Sequence, residues 1–165
     1  MTHAMDRLDC VVVGGGPSGA IAAEDLARAG RRVALLDKAG RIKPCGGAIP
    51  PRLIRDFEIP DELIVARITS AHIVSPKDRV ADMPVERGYV GMVDREVFDE
   101  FLRDRAAKAG AERHSGTYLR IERDGEGHPV VVYAPKEQDG AEIRIATRMV
   151  IGADGANSQV AKQQV

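Results

Sequence analysis

The sequence predicts an α/β fold of Rossmann-like topology, in which a parallel β-sheet binds a nucleotide and antiparallel strands extend from it. Three observations predict this fold: a glycine-rich turn at 14–19 between a strand and a helix, an acid that ends the next strand, and a second glycine-rich turn at 152–158. The 165 residues suit one domain with a substantial hydrophobic core.

The first strand–turn–helix unit begins with Cys10–Val13, a β-branched run typical of a strand buried on both faces. Glycines follow at G-x-G-x-x-G spacing, and alanines with two larger aliphatic residues recur at helical spacing from 18 to 29. Gly30 is placed to end this helix with a positive φ. A second apolar strand, 33–36, ends at Asp37.

Each part of this unit has a physical role in nucleotide binding. Gly14 permits the tight turn, Gly16 leaves room for a pyrophosphate, and Gly19 lets the helix pack closely on the strand. The helix N-terminus offers N–H groups and the positive end of its dipole to phosphates. Asp37 can accept hydrogen bonds from both ribose hydroxyls and repels a 2′-phosphate, which predicts FAD or NAD rather than NADP as the resident nucleotide.

Composition excludes several classes of function. The formal net charge of −1 gives no bulk attraction to nucleic acid, and a 4 % aromatic content without Trp argues against base stacking. Two cysteines, Cys10 and Cys45, are too few for a disulfide framework or a zinc site. No apolar run approaches the ~20 residues of a membrane helix, and residues 1–8 do not resemble a signal peptide. We expect a cytoplasmic protein, which can still associate with a membrane at its periphery.

The loop 38–51 contains Cys45 and two adjacent glycines between prolines. This pattern predicts either backbone that passes close to a flat or bulky group, or a flexible connector with a buried cysteine. A short helix is predicted at 52–57, followed by strands at 68–75 and 80–84 that are joined by a turn. His72 lies in the first of these strands and is expected to be an ordinary strand residue.

The next helix is predicted from an N-cap at Asp94 to a stop at Gly110, with an apolar stripe along one side. Its charged positions are expected to form a solvated face: Arg103, Asp104, Arg105 and Lys108. Arg95 is different, because a cation at a helix N-terminus opposes the dipole. It is either simply exposed or recruited for an anionic ligand.

Strands at 117–123, 130–134 and 143–147 alternate with turn-rich segments and predict an antiparallel meander. A further buried strand at 149–151 leads into the second glycine-rich turn, at the kind of strand end where open α/β sheets bind ligands. Asp154 in this turn can accept hydrogen bonds either from ligand hydroxyls or from N–H groups of the turn.

Four segments together resemble the geranylgeranyl reductases, and within them the enzymes of chlorophyll and bacteriochlorophyll synthesis. They read VVGGGPSG at 12–19, KPCGGAIP at 43–50, YVGMVDRE at 89–96 and IGADGANS at 151–158. The first and last are shared by all flavoproteins of the p-hydroxybenzoate hydroxylase type, whereas the second is more specific to the pigment branch. The resemblance extends over essentially the whole chain.

The resemblance implies that 1–165 is a partial FAD-binding domain, incomplete at its C-terminus, with β excursions at about 66–92 and 114–147. The third flavin fingerprint and most of the prenyl-binding region would lie beyond Val165. It also implies a bound FAD, reduced by NADPH that docks transiently, which saturates isolated double bonds of a geranylgeranyl chain on a pigment or a diphosphate. Peripheral association with the photosynthetic membrane is a further expectation.

The resemblance also implies roles for individual residues. Those expected to contact FAD are Gly14, Gly16, Ser18 and Gly19 at the pyrophosphate, Asp37 at the adenosine ribose, Arg95, the backbone near Leu119 at the adenine, Asp154 and Gly155 of the second fingerprint, and Cys45, Gly46 and Gly47 beside the isoalloxazine ring. Cys45 is in addition the candidate catalytic residue, which would position the alkene or assist proton delivery.

Three other functions fit parts of the pattern. A flavin-dependent aromatic hydroxylase of the same fold would consume oxygen, an NAD-linked dehydrogenase would be colourless, and a non-catalytic cofactor-binding fragment would have no turnover. The sequence leaves open whether the substrate is the free diphosphate, the esterified pigment or an ether lipid, and whether ferredoxin replaces NADPH.

Overall fold

A computed structural model of the protein describes residues 7–38, 45–138 and 140–164. The chain divides into two compact units, residues 1–41 with 99–165, and residues 42–98. Of the segment KPCGGAIP at 43–50, Lys43 and Pro44 lie outside the described residues.

Ten strands and four helices follow one another along the described chain. In order they are β1 (Leu8–Val13), α1 (Pro17–Arg28), β2 (Val33–Asp37), β3 (Ala48–Ile49), α2 (Pro51–Asp56), β4 (Ile64–Ile68), β5 (Ser70–Val74), β6 (Val80–Pro84), β7 (Val90–Val93), α3 (Arg95–Lys108), β8 (Glu112–Arg123), β9 (Pro129–Pro135), β10 (Ile143–Gly152) and α4 (Gln159–Gln164), with a single 3₁₀ turn at Asp61–Leu63 before β4.

The first unit is built on a ring of five strands in the order β1-β10-β9-β8-β2. β1 lies between β2 and β10 and is parallel to both, and the start of β8 is parallel to β2. The later part of β8 and the first part of β10 lie beyond the parallel sheet, and both pair with β9 in antiparallel fashion. The ring therefore combines a parallel sheet with the predicted meander.

The core of this unit is aliphatic because β1 and β2 are covered on both faces, as their unbroken apolar runs predicted. Val11 and Val12 are fully buried, and every residue of β2 is buried. A cluster of buried side chains joins four strands of the ring to α4: Leu8, Val11, Val13, Ala34, Leu36, Tyr118, Val131, Tyr133 and Val160.

Helix α1 confirms the predicted βαβ unit. It begins at Pro17. Proline suits the first turn because a backbone N–H at that position would have no acceptor within the helix. Its buried face consists largely of alanines, whose small side chains allow close packing on the sheet. Gly30 ends it with φ +74°, while the N–H of Arg31 donates to the Leu26 carbonyl at 3.0 Å.

In the second unit, β7 lies between β3 and β4 and is antiparallel to both. β5 and β6 form a separate hairpin whose ten residues are all exposed. His72 lies in β5, as expected, and its Nδ1 pairs with Asp82 across the hairpin at 2.5 Å. Among the residues described, no helix is long and apolar enough to span a lipid bilayer.

Two boundaries of the predicted strands were wrong. The predicted strand 68–75 is divided at Thr69, because Ile68 pairs with β7 whereas Ser70 pairs with β6. The predicted strands 143–147 and 149–151 are one strand, β10, which exchanges its partner β9 for β1 near Thr147 without a break. In each case one of the two partner strands, β7 or β1, is not the neighbouring strand along the chain, so the local pattern does not reveal the boundary.

Candidate nucleotide-binding site

The first glycine-rich turn is enclosed by two neighbouring chain segments. The N–H of Gly14 donates to the Leu36 carbonyl at 2.8 Å, and the N–H of Ala153 donates to the Val13 carbonyl at 2.7 Å. Gly14 has φ +112°, and a Cβ atom on it would lie 2.3 Å from the carbonyl oxygen of Ala153. Only glycine fits this position, both in backbone conformation and in space.

Gly16 and Gly19 are glycines for different reasons. A Cβ atom on Gly19 would lie 1.8 Å from the carbonyl oxygen of Gly14, so Gly19 permits α1 to pack against the end of β1, as predicted. A Cβ atom on Gly16 would meet no atom within 4 Å. The protein itself therefore imposes no steric need for glycine at 16, and the open space there fits a bulky ligand group held close to the backbone.

The N-terminus of α1 is suited to an anion. Gly16 is its N-cap, in an extended conformation, and provides no side-chain acceptor for the first N–H groups of the helix. The first turn also holds no acidic residue that would compensate the dipole. Ser18 is exposed in this turn. A diphosphate would supply the missing negative charge and acceptors.

Asp37 ends β2 beside this turn and is only 9 % exposed. A Cβ atom on Gly15 would lie 2.3 Å from Asp37 Oδ2, so the carboxylate is packed against the turn backbone. Arg103 of α3 contacts both groups: its Nε lies 2.7 Å from Asp37 Oδ2 and donates to the Gly15 carbonyl, also at 2.7 Å. The turn, the acid and one buried guanidinium therefore form a single cluster.

The guanidinium of Arg103 is itself held by further charges. Its Nη1 donates to Glu100 Oε2 at 3.0 Å, and Arg113 Nη1 lies 2.8 Å from Glu100 Oε1 and 2.6 Å from Asp104 Oδ1. The hydrogen bond from Arg113 lowers the pKa of Glu100 from its usual value. Acids and cations thus alternate from Asp37 to Asp104.

The second glycine-rich turn is organised by Asp154. Its Oδ1 accepts from Ser158 Oγ at 2.6 Å, and its Oδ2 accepts from the N–H groups of Gln159 at 2.6 Å and Val160 at 3.3 Å. Burial raises the pKa of Asp154, but these hydrogen bonds outweigh it, and the pKa is lowered. Asp154 therefore caps α4, which is the structural one of the two roles that its chemistry allowed. Gly155 is exposed, with φ +88°.

Leu119 lies at an irregularity of β8, where the pairing register with β9 shifts between Tyr118 and Arg120. Its carbonyl accepts from Gln163 Nε2 at 2.9 Å, and Gln163 Oε1 accepts from Tyr118 at 2.8 Å. The predicted role of the Leu119 backbone at an adenine stays a prediction.

In the second unit, Cys45 is exposed, so the alternative of a buried cysteine is wrong. Gly46 has open space around it, whereas Gly47 has φ +70°, and a Cβ atom there would lie 2.1 Å from the Val93 carbonyl oxygen. The close approach at Gly47 is therefore made to β7 of the same unit. Arg95 is half-buried at the start of α3, after Asp94, whose Oδ1 accepts from the Glu96 N–H at 2.9 Å.

Sequence reasoning missed two residues of this site, Arg103 and Gly15. The solvated face predicted for α3 is correct for Asp104 and Lys108 but wrong for Arg103 and Arg105, whose side chains are 12 % and 20 % exposed. Their buried acidic partners, Asp37 and Glu24, lie far away in the sequence, so no local spacing signals these two pairings. Gly15 could have been found from the sequence. The G-x-G-x-x-G spacing does not require glycine at 15, so a glycine there indicates a separate steric constraint.

Together these residues fit the adenosine diphosphate half of a dinucleotide. The open backbone at Gly16 and the N-terminus of α1 fit the pyrophosphate, and the carboxylate of Asp37 fits the ribose hydroxyls.

Comparison with known proteins agrees with this fit. The family model described as FAD binding domain matches residues 7–164. The geranylgeranyl diphosphate reductase of Rhodobacter capsulatus is 67 % identical over 154 residues, which cover 93 % of this chain and 39 % of that protein. The chloroplastic geranylgeranyl diphosphate reductase of Nicotiana tabacum is 42 % identical, with coverages of 94 % and 36 %.

Among solved structures, a geranylgeranyl bacteriochlorophyll reductase-like protein of Thermoplasma acidophilum superposes with a TM-score of 0.79 at 25 % identity, over 90 % of this chain and 39 % of that one. The chain thus spans about two fifths of the length of the relatives it matches. It belongs to the family of FAD-binding domains, and within that family it is similar to the corresponding part of the geranylgeranyl reductases.

Proposed function

We propose that this chain is the FAD-binding part of a geranylgeranyl reductase that reduces isolated double bonds of a geranylgeranyl chain with electrons from NADPH. The observation that carries the proposal is the cluster of the open Gly16 backbone, the uncapped N-terminus of α1 and the buried carboxylate of Asp37. The 67 % identity to the Rhodobacter capsulatus protein, named as a geranylgeranyl diphosphate reductase, supports the substrate class.

In this proposal the backbone of the first turn binds the pyrophosphate. The N–H groups at the start of α1, near Ser18, donate to its oxygens, and Gly16 allows the approach. Gly14 and Gly19 keep the turn and helix in position, since neither has room for a side chain. Asp37 accepts hydrogen bonds from the ribose hydroxyls.

The remaining residues with proposed cofactor contacts are those that the resemblance implied: Leu119, Asp154, Gly155, Arg95, Cys45, Gly46 and Gly47. In the second turn, the carboxylate of Asp154 is engaged with Ser158 and Gln159, so we assign it the role of shaping the turn. Contact with the flavin then falls to the exposed backbone of Gly155.

When bound and reduced by NADPH, the flavin would supply the hydride that an isolated alkene requires. Such an alkene is not polarised by a carbonyl, so the protein must exclude water and hold the chain in a reactive orientation. We assign Cys45, which is exposed in the second unit, to alkene positioning or to delivery of the proton. The apolar prenyl chain of the substrate is also the reason to propose peripheral association with a membrane.

The proposal is tested with the intact protein. We expect it to purify yellow, to release FAD on denaturation, and to add two mass units per double bond to geranylgeranyl diphosphate or geranylgeranylated pigment under anaerobic conditions with NADPH. Oxygen consumption with an aromatic substrate, and no reduction of prenyl chains, would instead indicate a hydroxylase. A colourless protein without affinity for FAD would contradict both functions.

Cys45 is tested by Cys45→Ser and Cys45→Ala in the same assay. A role in proton delivery predicts that both variants keep their flavin, that Cys45→Ala loses most of its turnover, and that Cys45→Ser keeps part of it through its hydroxyl. Unchanged turnover with unchanged flavin content in both variants would remove Cys45 from the mechanism.

A further inference from the structure

We propose that Arg103 is a positioning residue for the nucleotide, which orients the ribose-binding carboxylate and the pyrophosphate-binding peptide at the same time. The inference rests on the proposed function in that FAD is taken as the nucleotide. It assigns a role to a side chain that lies in α3, outside the glycine-rich turn and outside the strand that carries Asp37.

The geometry places one guanidinium nitrogen against two groups from separate elements, with a hydrogen bond to one and an ion pair with the other. Nε of Arg103 lies 2.7 Å from Oδ2 of Asp37 at the end of β2 and 2.7 Å from the carbonyl oxygen of Gly15 in the turn. The side chains of Arg103 and Asp37 are 12 % and 9 % exposed, so water competes little for these contacts. A charged donor in such a setting restrains both acceptors.

The contact with Gly15 also fixes the next N–H group. In a trans peptide, the C=O of Gly15 and the N–H of Gly16 point in opposite directions from the same plane. The hydrogen bond from Arg103 to the Gly15 carbonyl therefore directs the Gly16 N–H away from Arg103. Gly16 has open space beside it, and three consecutive glycines have no side chains of their own to hold this peptide.

The contact with Asp37 leaves the carboxylate able to bind a ribose. An ionised carboxylate has two oxygens and about four acceptor sites, and the Arg103 contact falls on Oδ2. Glu100 accepts from Nη1 of Arg103 at 3.0 Å on the other side of the guanidinium. The guanidinium is thus held from two sides, and it holds Asp37 in one orientation before the nucleotide arrives.

These contacts require arginine rather than any cation. Nε donates to the Gly15 carbonyl and forms an ion pair with Asp37, while Nη1 donates to Glu100. A lysine carries its charge on one nitrogen and cannot reproduce this arrangement. Arg103→Lys is therefore expected to fall between the wild type and Arg103→Gln in nucleotide affinity.

The test uses apoprotein prepared from the intact protein and titrated with FAD, with flavin fluorescence as the readout. We expect Arg103→Gln to raise the Kd for FAD about tenfold or more and Arg103→Lys to raise it less, because the lost hydrogen bonds are charge-assisted. ADP corresponds to the adenosine diphosphate half of FAD. Its affinity should likewise fall from wild type to Arg103→Lys to Arg103→Gln. Lys108→Gln, an exposed cation on α3, is the matched control and should leave both affinities unchanged.

A double-mutant cycle separates positioning from general destabilisation. If Arg103 acts through Asp37, Arg103→Gln should weaken FAD binding less in an Asp37→Asn background than in the wild type. A Kd within twofold of wild type in Arg103→Gln, or full additivity in the cycle, would overturn the inference. If Arg103→Gln does not fold, a wild-type Kd for FAD in a folded Arg103→Lys variant would overturn the inference. Failure of the wild type to bind FAD while it binds ADP would contradict the proposed function and still leave Arg103 testable with ADP.

Discussion

Glu24 of α1 and Arg105 of α3 form an ion pair in which the carboxylate is buried. Nε of Arg105 donates to Glu24 Oε2 at 2.8 Å, and Glu24 is only 3 % exposed. Arg28 donates to the other oxygen at 3.0 Å, but its side chain is 64 % exposed. Arg105 is therefore the better shielded of the two cations, and the pair connects α1 with α3.

We expect Arg105→Gln to lower the free energy of unfolding by about 2 kcal/mol, because it leaves a buried carboxylate short of a charged donor. The measurement is urea denaturation. Glu24→Gln combined with Arg105→Gln should recover part of the loss, whereas Lys108→Gln should change the free energy by less than about 0.5 kcal/mol. Equal stability of Arg105→Gln and wild type would show that Arg28 alone satisfies Glu24.

Alanine at Gly16 and alanine at Gly19 should separate binding from folding. Gly19→Ala places a Cβ atom against the Gly14 carbonyl, so we expect a loss of several kcal/mol of stability or no folded protein. Gly16→Ala meets no atom within 4 Å and should keep its thermal unfolding temperature. It should nevertheless weaken FAD binding about tenfold, since the methyl group occupies the space of the pyrophosphate. Wild-type FAD affinity in Gly16→Ala would contradict the proposed position of the pyrophosphate.

Asp37 should make the site select against a 2′-phosphate. We expect AMP to displace FAD from the intact protein, and adenosine 2′,5′-bisphosphate, which differs from AMP only by its 2′-phosphate, to do so at least about tenfold less well. The 2′-phosphate and the Asp37 carboxylate, both negative, would then lie close together where little water screens them. Asp37→Asn should weaken FAD binding and reduce this discrimination. Competition titrations monitored by flavin fluorescence measure both effects. Equal displacement by the two nucleotides would mean that the ribose lies elsewhere.

The cap of α4 should make stability depend on pH in the acid range. The pKa of Asp154 is lowered in the folded protein, so its contribution is fully present above the ordinary Asp pKa of about 4 and is lost as pH falls through the lowered value. The stability difference between wild type and Asp154→Asn should therefore be constant above about pH 5 and shrink below about pH 4. Urea denaturation at a series of pH values measures this difference. A gap that does not change with pH would show that the carboxylate charge is not what stabilises the turn.

The two adjacent glycines after Cys45 should respond differently to alanine. Gly47→Ala combines a positive φ of +70° with a Cβ position 2.1 Å from the Val93 carbonyl oxygen, so we expect it to destabilise the second unit. Gly46→Ala meets no atom within 4 Å and should be tolerated in folding. Limited proteolysis of the intact variants compares them. Equal resistance of the two variants would contradict the packing of Gly47 on β7.

The βαβ unit was predictable because its signals are local. The apolar runs of β1 and β2, the glycine spacing and the acid at Asp37 lie within 28 residues, and each follows from the conformation or burial of its own segment. The antiparallel meander was predictable for the same reason. The division at Thr69 and the continuity of β10 were not, because they depend on pairing with β7 and with β1, neither of which is the adjacent strand along the chain.

By itself, the sequence determined which residues form the turn, why glycine stands at three of its positions, and to which family the chain is similar. Only the tertiary structure decided which charges complete the site. Arg103 lies 66 residues after Asp37, and its placement depends on the burial of Leu102 and Ala106, which sets the rotation of α3. An ion pair between distant segments forms where packing brings them together. The spacing within a segment shows which face is buried but not which distant segment that face will contact.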